Sequence, residues 1–153
     1  MEQHSSPLPT TLVPCVLTFQ RQAASEGDAA LLGELIGDAV ATAGGGSAAA
    51  AAIVNARDDS GLSALHRACD RGHAGVVRLL LSFPGVEVGA VGGDEDALTP
   101  LHYAVLCENA EVAQLLLCAG ADPSAADGSG ESAFDAADSE AMRALLSQGK
   151  ALP

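Results

Sequence analysis

This sequence predicts an all-α solenoid: about four stacked helix–turn–helix repeats with β-turn tips, the first and last acting as caps. Three observations carry that expectation. A short pattern recurs as Ser63-Ala64-Leu65-His66-Arg67-Ala68, Thr99-Pro100-Leu101-His102-Tyr103-Ala104 and Ser132-Ala133-Phe134-Asp135-Ala136-Ala137. The copies start 36 and 33 residues apart, within the range of about 20–50 residues used by stacked repeat units. A Leu-rich run follows the first two copies, Leu79-Leu80-Leu81 and Leu115-Leu116-Leu117, spaced to bury one helical face.

Taken in order, residues 1–17 carry Pro7, Pro9 and Pro14 among Ser and Thr and are expected as a flexible tail. A first capping repeat, 18–37, shows Ala23-Ala24-Ser25-Glu26-Gly27-Asp28, then Leu31-Leu32 and Leu35-Ile36. Gly27 to Gly72 is 45 residues, so about twelve are inserted relative to the 33-residue period. The insertion, 38–52, contains the Ala/Gly-rich stretch Ala41–Ala52 and is expected either as disorder or as an Ala-driven extension of the preceding helix. Its Gly44-Gly45-Gly46-Ser47 centre favours a flexible loop. Repeat two covers 53–85, repeat three 86–118 and the last capping repeat 119–148, with 149–153 as a second tail. The three additional residues between the second and third copies fall in the Gly-rich stretch from Pro84 to Gly93, where a loop absorbs them.

Each copy has a local logic. Asp58-x-x-Gly61 and Asp127-x-x-Gly130 make turns, with Gly supplying positive φ. Ser63, Thr99 and Ser132 stand where a hydroxyl caps the next helix. Pro100 suits the first helical position, where its missing N–H costs nothing. Ala68 and Ala104 let the first helix lie close to its neighbours, and Gly120 ends a helix in the left-handed conformation.

On these residues, above all Thr99 to Pro123, the chain resembles the ankyrin-repeat family from about Phe19 to Gln148. The resemblance implies stacked helix pairs that bind a protein partner, and a structural role for His66 and His102, which would hydrogen-bond within and between repeats. In the last copy Phe134-Asp135 replaces Leu-His, so that inter-repeat bond is not expected there. Asp135 to Leu145 is ten residues against thirteen from His102 to Leu115. The shortened copy looks like a C-terminal cap. A narrower likeness runs through Val54-Asn55-Ala56-Arg57-Asp58-Asp59, Asp70-Arg71-Gly72-His73, His102-Tyr103-Ala104 and Gly120-Ala121-Asp122-Pro123. Those residues are similar to the ankyrin portion of ankyrin-containing acyl-CoA-binding proteins; their separate acyl-CoA-binding domain is not expected within these residues, as in a relative that lost it or in a fragment.

Composition narrows the chemistry. Hydrophobic residues make up 48% of the chain, with no Trp, one Tyr and three Phe, so Ala, Leu and Val must do the packing. The net charge of −13 argues against nucleic acid and against anionic membranes as partners. No apolar run has the length of a membrane-spanning helix, and Met1-Glu2-Gln3-His4 lacks a secretory signal's basic region. Cys15, Cys69, Cys107 and Cys118 form no Cys-x-x-Cys pair and no zinc spacing. They read as reduced thiols in a cytoplasmic or nuclear protein, with Cys69, Cys107 and Cys118 packing in helices as small hydrophobes. His66 and His102 fall at repeat-equivalent positions, which a single catalytic constellation would not produce. No phosphate loop or nucleophile elbow occurs, and Asp94-Glu95-Asp96 does not follow a calcium loop. Neither enzyme activity, metal nor cofactor is expected.

Charge layout points to a surface. Arg57, Arg67, Arg71 and Arg78 lie in or beside repeat two, whereas Leu79 to Met142 holds twelve acidic residues and no Lys or Arg. The resemblance implies a partner-binding concave surface of turn tips and first-helix faces. The matching positions are Asp59, Ser60, Leu62, Arg67, Asp70 and Arg71 in repeat two, and Glu95, Asp96, Leu98, Tyr103, Leu106 and Cys107 in repeat three. Tyr103 is read either as an interface anchor or as cover for the neighbouring repeat. The expected partner is a protein with a basic patch, met by a monomeric chain acting as a scaffold. A stoichiometric enzyme inhibitor and the ankyrin part of a lipid-carrier system are the alternatives.

Overall fold

The computed structural model describes residues 22–151 except 59, 84 and 94. The expected N-terminal tail, the start of the first repeat and Asp59 lie outside the described residues, as do Cys15, Pro84 and Asp94. The described chain is helical. α1, over 22–26, precedes α2 (Ala29–Thr42), α3 (Ser47–Val54), α4 (Ala64–Arg71), α5 (Ala74–Ser82), α6 (Pro100–Leu106), α7 (Ala110–Cys118), α8 (Ala133–Ala136) and α9 (Glu140–Ala151). The pairs α4/α5, α6/α7 and α8/α9 are successive layers: α4 packs on α6 and α6 on α8, while α5 packs on α7 and α7 on α9. This is the all-α solenoid that the period predicts.

One apolar spine runs through the layers. Leu65, Ala68 and Cys69 of α4 meet Leu101, Ala104 and Val105 of α6, with Val76, Val77 and Leu80 and then Val112, Leu116 and Leu117 behind them. None of these helices exceeds nine residues, too short to persist alone in water. Shared burial between layers holds them. The final layer shows the edge of that arrangement: Phe134 is 40% exposed, whereas Leu65 and Leu101, at the same repeat position, are each 1% exposed.

The Ala/Gly-rich insertion is neither a disordered loop nor a simple extension of α2. α2 ends at Thr42, the chain turns through Gly44, Gly45 and Gly46 with φ of 95°, 74° and 96°, and α3 starts at Ser47. The flexible-loop expectation is therefore corrected. The Ala run has the highest helix propensity of any residue type, and burial of Ala50, Ile53 and Val54 in contact with α2 holds it in place. The C-terminal residues differ too: backbone expected as tail stays helical through Ala151.

Candidate partner-binding surface

The turns that lead into the first helices are built by carboxylates. Asp58 Oδ1 accepts from Ser60 N at 2.8 Å and Leu62 N at 3.1 Å, and Asp127 Oδ1 accepts from Ser129 N at 2.8 Å and Glu131 N at 3.0 Å. Single antiparallel bridges, Arg57 with Ser63 and Ala126 with Ser132, close both tips. The tips then stack on one another. Gly93 N donates to Gly61 O at 3.1 Å, and Gly128 N donates to Asp96 O at 2.8 Å. A Cβ on Gly61 would lie 2.5 Å from Gly93 Cα, so this approach requires bare backbone. The close stack leaves Glu95 and Asp96 exposed at the tip of repeat three, with Leu62 and Leu98 half-buried beneath.

The two buried histidines tie each cap to the next repeat. His66 Nε2 lies 2.8 Å from Ala90 O, and His102 Nε2 lies 3.1 Å from Glu131 O. A carbonyl oxygen only accepts, so Nε2 carries the proton and Nδ1 is left as the acceptor. Nδ1 of His66 meets Ser63 N and Oγ at 3.2 and 2.8 Å; Nδ1 of His102 meets Thr99 N and Oγ1 at 3.3 and 2.7 Å. In the last repeat Asp135 takes over the cap, accepting from Ser132 N and Oγ at 3.3 and 2.7 Å. Those bonds hold its carboxyl below the ordinary carboxylate value.

On the first-helix faces, the expected residues divide. Arg67 is committed to its own turn: Nε and Nη2 both donate to Asp58 Oδ2, at 3.1 and 2.9 Å. The Asp58 side chain is 7% exposed. Burial alone would raise the Asp58 pKa, but donation from Leu62 N, Arg67 and Ser60 N outweighs it and holds the carboxyl below 3.8. Asp70 and Arg71 end α4, both exposed, with Arg71 Nε 3.9 Å from Asp70 Oδ2. Cys107 Sγ donates to Asp70 O at 3.2 Å, which brings the end of α6 beside the end of α4. Tyr103 is half-buried and meets the His66 ring edge-on, so it does cover the neighbouring repeat in part. Leu106 is 56% exposed. Glu95 and Asp96 thus stand before α6 and Leu106 and Cys107 at its far end, about 10 Å apart along a seven-residue helix.

The cysteines need one correction. Cys69 is buried, and desolvation, followed by the Cys107 and Asp70 charges, drives its thiol pKa far up. Cys107 and Cys118 are exposed rather than packed, because one caps α6 and the other ends α7, where each helix leaves the core.

The family model described as ankyrin repeats (3 copies) matches residues 21–127. The chain belongs to the ankyrin-repeat family. The human BCL-6 corepressor-like protein 1 is 42% identical over 94 residues, which is 61% of this chain and 5% of that protein. The Caenorhabditis elegans ankyrin repeat and LEM domain-containing protein 1 homolog is 46% identical over 61 residues, 40% of this chain and 8% of that protein. Human ankyrin repeat domain-containing protein 63 is 38% identical over 66 residues, 43% of this chain and 17% of that protein. The chain therefore spans a small part of each relative's length. Ankyrin repeats mediate protein–protein interaction, and among the described residues no helix is long and apolar enough to cross a membrane.

Sequence reading missed several ankyrin contacts. Asn55 donates to Gly85 O and accepts from Glu87 N, both at 2.8 Å. Arg57 reaches across to Val91 O. His73 Nε2 donates to Ser25 O at 2.8 Å, and Asn109 Nδ2, at the same repeat position, donates to Gly72 O at 3.3 Å. Two backbone outliers were also missed: Ala97 at φ 48° and Glu108 at φ 53°. In the repeat register they align with Gly61 and Gly72, both at φ 73°, so the 36-residue spacing held the signal that could have found them.

Proposed function

We propose that this ankyrin-repeat domain is a non-catalytic scaffold that binds a protein partner through the turn tips and first helices of repeats two and three. The partner presents a basic patch to an acidic face, and the complex forms in the cytoplasm or nucleus. The observation that carries the reading is the charge layout, with no Lys or Arg among twelve acidic residues between Leu79 and Met142 and with Glu95 and Asp96 exposed at a tip. Electrostatic complementarity of that kind acts most on the rate of association. Asp59, Leu62, Asp70, Arg71, Leu98, Tyr103, Leu106 and Cys107 complete the proposed surface. Arg67 contributes by holding the tip through Asp58.

The test is affinity capture with the full chain, followed by kinetics on the purified partner. Association slowing by about tenfold between about 50 and about 300 mM salt supports the acidic face. The charge reversals Glu95→Lys and Asp96→Lys should slow it similarly. A salt-independent rate, with Tyr103→Ala and Arg71→Glu also binding normally, removes the surface. The finer alternatives separate cleanly. An inhibitor abolishes the partner's activity at one-to-one addition. A lipid-carrier role, which rests on the residue likeness alone, requires a thermal shift with acyl-CoA.

A further inference from the structure

Tyr103, Leu106 and Cys107 lie three and four residues apart on α6 and so share one helical face. The same face in repeat two is Arg67, Asp70 and Arg71, whose charges are satisfied by Asp58 and by each other. In the last repeat the first helix ends at Ala136, so the face is not continued. Stacking therefore does not require apolar side chains there, since α4 packs on α6 with a charged set. Repeat three nevertheless exposes more than half of Leu106, the most exposed large hydrophobic of the described chain. The helix is also flanked by the two residues held in left-handed backbone where the other repeats use glycine, Ala97 before it and Glu108 after it. Strain of that kind gathers at ligand clamps. At Glu108 it sets an exposed carboxylate beside the apolar face, with the exposed carboxylate of Asp70 across the repeat junction and Glu95 and Asp96 at the tip.

We infer that the Tyr103–Leu106–Cys107 face of α6 is the anchor point of the interaction surface and receives a linear Lys/Arg-bearing segment that buries one aliphatic side chain on Leu106. This rests on the acidic-surface reading above and narrows it to one helix. Charge complementarity selects the occupant: Glu108 follows the face, Asp70 lies across the junction with Arg71 beside it, and Glu95 and Asp96 precede the helix, an acidic excess. A cationic segment therefore gains on approach, while an acidic segment or a second copy of this chain, at net charge −13, is repelled. The apolar contact supplies what charge alone does not, a preference for one register of the bound segment.

The single Tyr, with no Trp, makes Tyr103 a built-in reporter, because its emission is unmasked. The full chain is titrated with three short synthetic peptides free of aromatic residues: one alternating Lys and Leu, one with Ser replacing Leu, and one with Glu replacing Lys. A saturable change in Tyr103 emission with the Lys–Leu peptide alone supports the site. Leu106→Ser should weaken that binding by at least about tenfold without lowering the melting temperature, since Leu106 is exposed. Unaltered binding by Leu106→Ser overturns the anchor, as does equal binding of the Lys–Ser peptide or silence with all three. If Glu95→Lys with Asp96→Lys weakens the Lys–Leu peptide and Leu106→Ser does not, the acidic surface stands and the anchor falls. If none of these variants matters, both fall.

Discussion

His66 and Tyr103 meet edge to face across the junction of repeats two and three, their ring centroids 5.9 Å apart and their planes at 90°. The contact links the buried histidine that holds one cap to the next repeat with the aromatic residue beside the exposed end of α6. Removing either ring therefore disturbs more than one layer. Edge-to-face pairs add about 0.5–1.5 kcal/mol beyond their buried area. Tyr103→Ala should cost about 1–3 kcal/mol in urea denaturation, and Tyr103→Phe less than about 1, because the ring is retained. His66→Ala should cost more than Tyr103→Ala, since it also strands the Ala90 carbonyl and the Ser63 amide. Equal stability of all three variants and the wild type would show that the junction does not depend on this pair.

The Arg67–Asp58 pair ties a helix to its own turn tip, and its pH dependence is fixed by sign. The Asp58 carboxyl is held below its ordinary value of 3.8 in the folded chain. Its contribution is thus complete above that value and lost as pH falls through the lower folded one. Arg67→Ala should destabilise by about 1–3 kcal/mol at neutral pH. The stability gap between wild type and Asp58→Asn should shrink as pH drops below about 4. A gap that stays constant from neutral pH down to about 3 would place the stabilising interaction elsewhere.

Legibility in the sequence followed the physics of each feature. The layers were readable because Thr99-Pro100-Leu101-His102 encodes a cap, a helix start and a core contact within four neighbouring residues, and because the pattern recurs. α3 was not readable. An Ala run is compatible with loop extension or helix, and the decision comes from Ile53 and Val54 finding α2, a tertiary fact. Arg67 looked like a free surface charge because its partner lies nine residues away across a turn. Asn55 and Arg57 reach thirty or more residues forward to the next tip, and no local pattern announces contacts of that range. The apolar face of α6 was legible residue by residue, but its exposure was not, because exposure depends on how adjacent layers are offset.

Ala97 and Glu108 predict an engineering gain at a functional cost. Left-handed backbone costs an L-residue about 1–2 kcal/mol, part of which glycine gives back through its freer unfolded chain. Gly61, Gly130 and Gly72 fill the equivalent positions at φ 73°, 86° and 73°. Ala97→Gly and Glu108→Gly should each raise stability by about 0.5–1.5 kcal/mol in chemical denaturation. Glu108→Gly should at the same time weaken binding of a Lys–Leu peptide, because it removes a carboxylate from the rim of the anchor face. Destabilisation by both glycines would mean that the backbone at these positions is not strained.

Thiol reactivity offers a check on the packing of the junction. Cys118 is exposed at the end of α7. Cys107 is exposed as well, but its thiol donates to Asp70 O and its pKa is raised, first by burial and then by the Asp70 charge. Cys69 is buried, and desolvation drives its pKa far higher. Because the thiolate is the reactive species, alkylation with iodoacetamide at mildly alkaline pH should label Cys118 before Cys107. Cys69 should react at the rate of global unfolding. Peptide mass mapping over time separates the three. Asp70→Asn should speed labelling of Cys107 by removing a nearby negative charge, while leaving Cys118 unchanged. Labelling of Cys69 as fast as Cys118 in the native protein would mean that α4 and α6 part readily, and the continuous spine between repeats two and three would then have to be abandoned.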